Sequence, residues 1–351
     1  MSQHRKIVAA EDLRRFVGEI FAARGMAPAD ARWIAELIVF AELRGVDSHG
    51  VTRLPGYLAF IDKGFLDPKA RPDVRPVIGA SLVVDGHKAA GPVTMMVALD
   101  EAANAARRNG ISLALVHHTT HTGAVGYYAE WAGKRGFASI IVIGGVPNMA
   151  YHGARVASVA TGPLTIGVPG GAEGPIVLDM ATSVAAWGKL RQAKLAGLPI
   201  PDGWALSEAG EPTTDPVLAM TPLPVGGPKG AGMALMFEYL ASVMAGAPIL
   251  SAMVGASGRG GHTQNAMVIL IDVAAFRPLE EFAADVRAYA AILKDLPTTE
   301  GVDEILLPGE RGGREARQRR EKGIPLGPSA WKDIETAAVP LGVALPKFRL
   351  A

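Results

Sequence analysis

Short apolar runs of strand type alternate with helical stretches along most of this 351-residue chain, and no other sequence feature constrains its fold as strongly. The strand-like runs are Ser81 to Asp85, Ile111 to His117, Ala138 to Ile143, Ile176 to Met180 and Ala266 to Asp272. Helical periodicity lies around them, at residues 93–109, 124–135, 184–197, 231–245 and 279–294. Strands interleaved with helices predict an α/β protein built on a sheet.

The two ends of the chain carry helical patterns instead. Three helices are expected in the N-terminal part. One ends at Gly25, one starts near Pro28 and ends at Gly45, and one lies around Tyr57 to Lys63. A last helix is expected between an N-cap at Ser329 and Pro340. The polar stretch from Arg311 to Lys322 predicts a solvated helix or an arm, with a nucleic-acid role as the weaker interpretation.

Composition excludes several classes of function. Hydrophobic residues make up 49% of the chain, and 35 basic side chains nearly balance 34 acidic ones. This balance predicts no nucleic-acid partner and no membrane partner. The absence of cysteine excludes thiolate nucleophiles and cysteine metal sites. Met1 to Ala10 does not resemble a signal peptide and no apolar run is long enough to span a bilayer, so a cytoplasmic protein is expected.

The segment Gly45 to Arg53, with the sequence GVDSHGVTR, is the first candidate for chemistry. A loop histidine such as His49 can act as acid or base near neutral pH, and Arg53 can bind a carboxylate through two hydrogen bonds. The alternative is a capping loop in which Asp47 and Ser48 cap the next helix.

Two further candidates follow predicted strands, where loops often bind ligands. In the segment His117 to Gly123, His117 and His121 have the spacing of a helical zinc pair, but no cysteine or nearby carboxylate completes a ligand set. We therefore expect no metal and interpret the histidines as pocket lining or structural. Asp179 ends another strand, where it orients a histidine or binds a hydroxyl. The alternative is that the segment Asp179 to Ser183 supplies an N-cap pair that opens the helix after Ser183.

A glycine-rich loop from Leu223 to Gly232 leads into a helix and carries Lys229. Exposed amides at a helix start beside a cation favour phosphate, and the alternative is a flexible turn. The dinucleotide glycine fingerprint is absent from the sequence. Leu307 to Arg311 predicts a turn, and Gly255 to Gly261 a loop.

In chain order, these segments resemble the malate/L-lactate dehydrogenase family of the non-Rossmann type. Its members include sulfolactate, ureidoglycolate and malate dehydrogenases, diketogulonate reductase and reductases of cyclic imino acids. The matching pieces are RGVDSHGVTRL from Arg44, HTG at His121, LDMATS from Leu178, GWAL from Gly203 with PTTDP from Pro212, LPVGGPKGAGMAL from Leu223 and LPGER from Leu307.

The resemblance implies an α/β fold with a non-Rossmann nicotinamide-binding mixed sheet domain and a helical domain built from both chain termini. The expected domains are residues 1–72 with 314–351, and residues 73–313. It also implies a homodimer with the site near the interface. The cofactor is NAD or NADP, the substrate is a small carboxylic acid, and no metal is needed.

Residue roles are implied in the same way. His49 is the expected proton donor, with Asp179 and His121 beside it, and Ser48 and Arg53 contact the substrate. The expected cofactor contacts are His121, Asp179, Met180, Ala181, Lys229, Gly230, Gly309, Glu310 and Arg311. The chain departs from the family pattern around Ile143 to Pro147 and at Gly162, where glycine replaces the usual amide side chains.

The expected function is hydride transfer between NAD(P)H and the α carbon of a small 2-oxo or 2-hydroxy acid of the malate, lactate, sulfolactate or ureidoglycolate type. The alternatives are NADPH-dependent reduction of a cyclic 2-imino acid and, from another class, a lyase or isomerase that uses Lys229 as a Schiff-base amine.

Overall fold

The computed structural model describes residues 5–249 and 263–350. Each predicted helix is present, with bounds that shift by at most three residues except in the helix predicted at 231–245, which is α-helical over Pro228–Glu238 and continues as a π-helical turn over Tyr239–Val243. The helices are α1 (Ala10–Ala23), α2 (Pro28–Leu43), α3 (Leu54–Asp62), α4 (Gly91–Asn109), α5 (Gly126–Gly133), α6 (Trp187–Ala196), α7 (Pro228–Glu238), α8 (Leu279–Lys294), α9 (Glu310–Lys322) and α10 (Pro328–Ala338). The Gly255 to Gly261 segment lies outside the described residues.

All five predicted strands are present, together with ten strands in the described residues that the sequence did not indicate. The strands are β1 (Lys6–Val8), β2 (Asp73–Pro76), β3 (Ser81–Asp85), β4 (Ile111–Thr119), β5 (Phe137–Gly145), β6 (Met149–Ala150), β7 (Ala157–Val159), β8 (Leu164–Gly171), β9 (Gly174–Met180), β10 (Ala205–Leu206), β11 (Pro212–Thr213), β12 (Thr221–Pro222), β13 (Gln264–Asp272), β14 (Ile324–Leu326) and β15 (Phe348–Leu350).

Seven strands form the main sheet in the order β2-β3-β4-β13-β5-β8-β9. Only β3 and β4 pair in parallel, and every other neighbouring pair in this sheet is antiparallel. Helices α4 and α5 bury apolar side chains such as Leu99 and Tyr128 against one face. Phe237 of α7 packs with Val142 and Met267 on the other face. Apolar burial on both faces explains why the central strands have near-continuous hydrophobic sequences.

The ends of the chain meet in a separate three-stranded sheet, in which β1 lies between β14 and β15. The adjoining core combines Phe16 and Ile38 from the first helices with Trp331 and Ile334 from the last helix. One expectation was wrong at this end. Helix α10 begins at Pro328 after Gly327, so Ser329 lies inside the first turn and is not the N-cap.

The predicted polar stretch from Arg311 to Lys322 forms most of α9, in which only Ala316 is buried. Nowhere in the two described ranges is a helix long and apolar enough to cross a membrane.

Candidate active site

The segment that contains His49 folds as two consecutive 3-10 turns, Asp47–His49 and Val51–Arg53, between α2 and α3. Neither turn, nor α3, has a side-chain cap, so the structure does not support the alternative in which Asp47 and Ser48 cap a helix. Arg53 Nε donates a 2.6 Å hydrogen bond to the carbonyl oxygen of Ser48. The arginine therefore holds the turn that carries the histidine.

A buried carboxylate supports this segment from α2. Glu42 Oε1 accepts the Val51 N–H at 2.8 Å, and a Cβ on Gly50 would overlap the same carboxylate. Burial raises the pKa of Glu42 to about 7, although the hydrogen bond from Val51 opposes the shift. Sequence reasoning missed Glu42 because it appears there as one more polar residue of a helix.

His49 and His121 face each other across the site. Their rings stack with centroids 5.5 Å apart and an interplanar angle of 21°. Ser48 Oγ lies 3.0 Å from His49 Nδ1, and Tyr57 Oη lies 2.8 Å from His121 Nδ1. Tyr57 was expected only as a residue of the third helix.

Burial sets the charge states here. It lowers the pKa of His49 to about 4, and the positive charge of Arg53 lowers it in addition. Burial also raises the pKa of Tyr57 to about 12. At neutral pH His49 is therefore a neutral imidazole that can accept a proton, and Tyr57 is a protonated phenol that can donate a hydrogen bond to His121.

Asp179 ends β9, as predicted. Its carboxylate accepts hydrogen bonds from the Gly126 N–H at 2.9 Å and from Thr165 Oγ1 at 2.8 Å. Although part of the residue is exposed, protein atoms surround the carboxylate, and burial raises its pKa. The next helix begins at Trp187 with Ala186 as its N-cap and no side-chain cap, so the alternative of an N-cap pair that opens a helix after Ser183 is wrong.

The Lys229 loop packs against the chain that follows Asp179. Val225 N–H donates to Thr182 O at 2.8 Å, and a Cβ on Gly230 would lie 2.5 Å from the same oxygen. Lys229 is exposed on the first turn of α7. Met180 and Ala181 connect Asp179 to this contact, so the fold brings two distant sequence motifs together.

Gly309 and Glu310 lie at the start of α9, and Gly309 lies next to Val177 in the middle of β9. Arg44 connects this helix start to α5, because its Nη2 donates to Gly309 O at 2.8 Å and its Nη1 to Glu130 at 3.0 Å. For Glu310, burial would raise the pKa, but hydrogen bonds from Lys294, Leu307 N–H and Arg314 lower it to about 2. The structure places Arg311 on the exposed surface of this turn.

A cleft of about 580 Å³ lies between β9, α5, α8 and α9. Its lining contains more cationic than acidic side chains. The acidic ones are Glu130, Glu173 and Glu310. The cationic ones are Arg44, Lys134, Arg287, Lys294, Arg317 and Arg320. Such a cleft suits an anionic ligand.

Close contacts account for the two glycine departures. A Cβ on Gly144 would lie 2.7 Å from the buried Glu238 carboxylate, and one on Gly162 would lie 2.5 Å from Ile143 O. These two positions therefore have no space for an amide side chain, whereas a Cβ on Gly145 would meet only ordinary contacts at 3.6 Å or more.

The fold is a mixed sheet without a dinucleotide glycine fingerprint. Its site combines paired histidines beside an arginine with a cationic cleft. Together these features define a class of non-Rossmann oxidoreductases. A family model described as malate/L-lactate dehydrogenase matches residues 8–335. The chain belongs to the malate/L-lactate dehydrogenase family, and it is a dehydrogenase.

Individual relatives match over nearly their whole length. L-sulfolactate dehydrogenase of Methanocaldococcus jannaschii is 31% identical over 97% of this chain and 99% of its own. Ureidoglycolate dehydrogenase (NAD(+)) of Escherichia coli is 28% identical over 91% of this chain and 92% of its own.

Solved structures are similar to the same extent. Malate dehydrogenase of Entamoeba histolytica has a TM-score of 0.92 at 25% identity and covers 98% of this chain and 100% of its own. Delta1-piperideine-2-carboxylate reductase of Pseudomonas syringae has a TM-score of 0.82 at 26% identity, with 95% and 99% covered.

Proposed function

We propose that this dehydrogenase transfers a hydride between a nicotinamide nucleotide and the α carbon of a small 2-oxo or 2-hydroxy acid. The observation that supports this most directly is the stacked pair His49 and His121 beside Arg53. The arrangement brings a base, a second imidazole and a carboxylate-binding cation close together from two segments of the chain. The relatives named as sulfolactate and ureidoglycolate dehydrogenases support the same class of substrate.

In the oxidation direction, His49 accepts the proton of the substrate hydroxyl. The neutral state that its low pKa imposes is the one a base needs. Arg53 uses Nε on Ser48, and within the described residues its other two nitrogens have no partner, so they are available for a planar two-point contact with a carboxylate. A bound carboxylate offsets the charge of Arg53 and makes His49 easier to protonate, which favours the reverse reaction.

His121 and Ser48 complete the substrate side of the site. The Tyr57 phenol donates to His121 Nδ1 when that ring is neutral, which places the proton of the His121 ring on Nε2. Ser48 Oγ holds the Nδ1 edge of His49. Both contacts fix the orientation of the imidazole rings, which lowers the entropy cost of reaching a reactive geometry.

The residues around Asp179 fit a nicotinamide nucleotide. Thr182 Oγ1 is buried without a hydrogen-bond partner among the described residues, although buried hydroxyls are normally paired. The exposed Lys229 stands on the first turn of α7, where helix amides and a cation favour phosphate. When bound, the nucleotide supplies the hydride acceptor or donor.

We assign cofactor binding to the segments around β9. Lys229 and Gly230 bind phosphate, and Asp179 with Met180, Ala181 and His121 lies on the ribose side. Gly309 and Glu310 border the cationic cleft, and the exposed Arg311 follows them on α9. Asp179 supplies carboxylate oxygens that accept hydrogen bonds from hydroxyl groups. The relative named as NAD(+)-dependent supports NAD, and NADP stays an alternative that the assay below distinguishes.

Three assignments at larger scale belong to the same proposal. Residues 1–72 and 314–351 form a helical domain and residues 73–313 a nicotinamide-binding domain, supported by the terminal sheet and its shared core. The protein acts as a homodimer with no nucleic-acid partner. It works in the cytoplasm.

A cyclic 2-imino acid is the second candidate substrate, because a solved reductase of a piperideine carboxylate shares the fold. A Schiff-base lyase is not proposed. Lys229 is exposed and lacks the desolvation that activates such an amine, and the family is a dehydrogenase family.

The direct test is an absorbance assay of NADH and NADPH oxidation against malate-, lactate- and sulfolactate-type 2-oxo acids, with cyclic 2-imino acids in parallel. Turnover of a 2-oxo acid, with lower activity on imines, is the expected result. Nucleotide binding without turnover of any acid would contradict the proposal, and turnover of imines alone would select the second candidate.

A further inference from the structure

A second group of histidines lies where β3 and β4 end side by side, on residues that the proposed reaction does not use. Asp85 pairs with His117 in the parallel register of these strands, and His118 follows. We propose that Asp85, His117 and His118 form a binding site for a divalent transition-metal ion of the zinc class. This proposal does not depend on the proposed function.

The backbone is shaped to bring the two imidazoles together. Successive residues of a strand normally point to opposite faces. Between Val116 and Thr119, however, β4 contains one residue more than β13 does between Ala266 and Gln264, which is a β-bulge. His118 has a φ of +52°, an uncommon conformation for any residue with a Cβ. As a result the rings of His117 and His118 lie with centroids 4.4 Å apart.

The ligand atoms have the spacing that a tetrahedral ion needs. His117 Nδ1 lies 2.9 Å from His118 Nδ1, His118 Nδ1 lies 3.1 Å from Asp85 Oδ2, and His117 Nδ1 lies 3.8 Å from Asp85 Oδ2. Metal–ligand bonds of about 2.0–2.1 Å in a tetrahedron place neighbouring ligand atoms about 3.3 Å apart. The three observed separations bracket this value, so small side-chain rotations complete the geometry.

Few protons lie between the three ligand atoms that face one another. The Asp85 carboxylate accepts the His87 N–H at Oδ1, and its Oδ2 faces the two imidazoles. His118 Nδ1 can offer only one proton to the two acceptors that face it. A divalent ion in place of that proton would satisfy all three atoms at once.

The donor set selects the class of ion. Two imidazoles with one carboxylate favour zinc, cobalt, nickel or copper, whereas magnesium and calcium prefer oxygen ligands alone. His87 Nδ1 lies 3.5 Å from Asp85 Oδ1 on an exposed side chain and can supply a fourth ligand, with water as the other choice. Since His118 lies three positions before His121, the bound ion would clamp the strand end that leads to the candidate active site.

Sequence reasoning considered His117 only with His121 and found no carboxylate. The fold separates that pair, because His121 lies against Tyr57 and His49, and it brings in Asp85 from the neighbouring strand.

The test is a Co²⁺ titration of the full, untagged chain after chelator treatment, followed by visible absorption, with Zn²⁺ as competitor. We expect one ion per chain for the wild type. His118→Asn should weaken binding by more than about 10-fold, because even loss of a group that merely orients a ligand costs about 10–100-fold. Asparagine tolerates positive φ, so this variant keeps the bulge while it removes the imidazole. Asp85→Asn should weaken binding in the same way.

His152→Ala is the matched control, because His152 is exposed and lies outside the cluster. It should bind Co²⁺ as the wild type does. Zn²⁺ should raise the melting temperature of the wild type and of the control but not of His118→Asn. Equal stoichiometry and affinity in the wild type and His118→Asn would overturn the proposal, and so would the absence of a cobalt spectrum in the wild type.

Discussion

At the scale of single residues, burial fixes the charge of the two ionisable groups that frame the His49 segment. It moves the pKa of His49 down to about 4 and that of Glu42 up to about 7. Both groups are therefore closer to neutral than their ordinary values suggest. A neutral imidazole serves as a base, and a protonated Glu42 lies buried with less desolvation cost.

His49 and Arg53 should have separable effects on the kinetics. His49→Ala removes the group that moves the proton, so turnover should fall by about 10²–10⁴-fold with cofactor affinity unchanged. Arg53→Lys keeps the charge but loses the planar contact, so it should mainly raise KM. Steady-state rates and melting temperatures on the same preparations test this. Normal turnover by folded His49→Ala would contradict the proposed role of His49 in proton transfer.

Glu42 should make the stability of the folded chain fall as pH rises. Its folded pKa of about 7 lies above the ordinary value of 4.5, so the unfolded chain loses the proton first. Stability is then full below about pH 4.5 and decreases up to about pH 7, by about 3 kcal/mol at most. Glu42→Gln keeps an acceptor for Val51 and stays neutral, so this decrease should disappear.

Urea unfolding at several pH values measures the effect of Glu42. Glu101→Gln, on the exposed surface of α4, is the matched control and should keep the wild-type pH dependence. An unchanged slope in Glu42→Gln would show that the carboxylate is ionised in the folded state.

At the scale of elements, the candidate cofactor site depends on how α7 packs against the chain after β9. Gly230→Ala places a methyl group 2.5 Å from Thr182 O and 2.6 Å from Val225 O, so it should destabilise the protein by about 1–3 kcal/mol and weaken nucleotide binding. Gly232→Ala in the same helix meets nothing within 4 Å and should be neutral or stabilising. Denaturant unfolding of both variants measures the contrast, and equal destabilisation would contradict the packing argument.

Lys229→Ala tests the phosphate assignment on the same helix. The side chain is exposed, so the fold should be preserved while a charge-assisted contact of about 1.5–3 kcal/mol is lost. Fluorescence titration with NADH measures the change in affinity. Lys189→Ala on α6 is the control, and equal affinities in the wild type and Lys229→Ala would remove Lys229 from the site.

The helices and strands also show how much of the fold could be predicted from sequence patterns. Helices such as α4 and α8 were predictable because their apolar spacing runs for four turns or more, and the buried central strands were predictable from their apolar runs. Strand β8 was missed because proline and glycine interrupt it. Thr165, which lies directly opposite Asp179 in the register of β8 and β9, was missed with it. Glu42 and Tyr57 were missed because only tertiary packing brings them to the His49 segment.

At the scale of the whole molecule, the segment from α6 to β12 carries several exposed apolar side chains. Leu195, Leu198 and Leu218 are 72%, 62% and 54% exposed, while Leu190 and Ile200 of the same segment are buried. Exposed apolar side chains that form one patch mark interaction surfaces. The same segment touches the candidate active site, since a Cβ on Gly188 of α6 would lie 2.8 Å from Ser48 Cβ.

If the chain forms the proposed homodimer, we expect two copies to associate through this segment and activity to fall when the contact is broken. Leu198→Asp places a carboxylate in the interface of each subunit, at a cost of at least about 1–3 kcal/mol per buried unpaired group. It should yield a monomer by light scattering at micromolar concentration, with reduced turnover because α6 no longer supports Ser48. Phe276→Asp, at a position that is 72% exposed elsewhere on the surface, should stay dimeric and active. A wild-type monomer would contradict the proposed homodimer. A fully active Leu198→Asp monomer would show that catalysis does not depend on assembly.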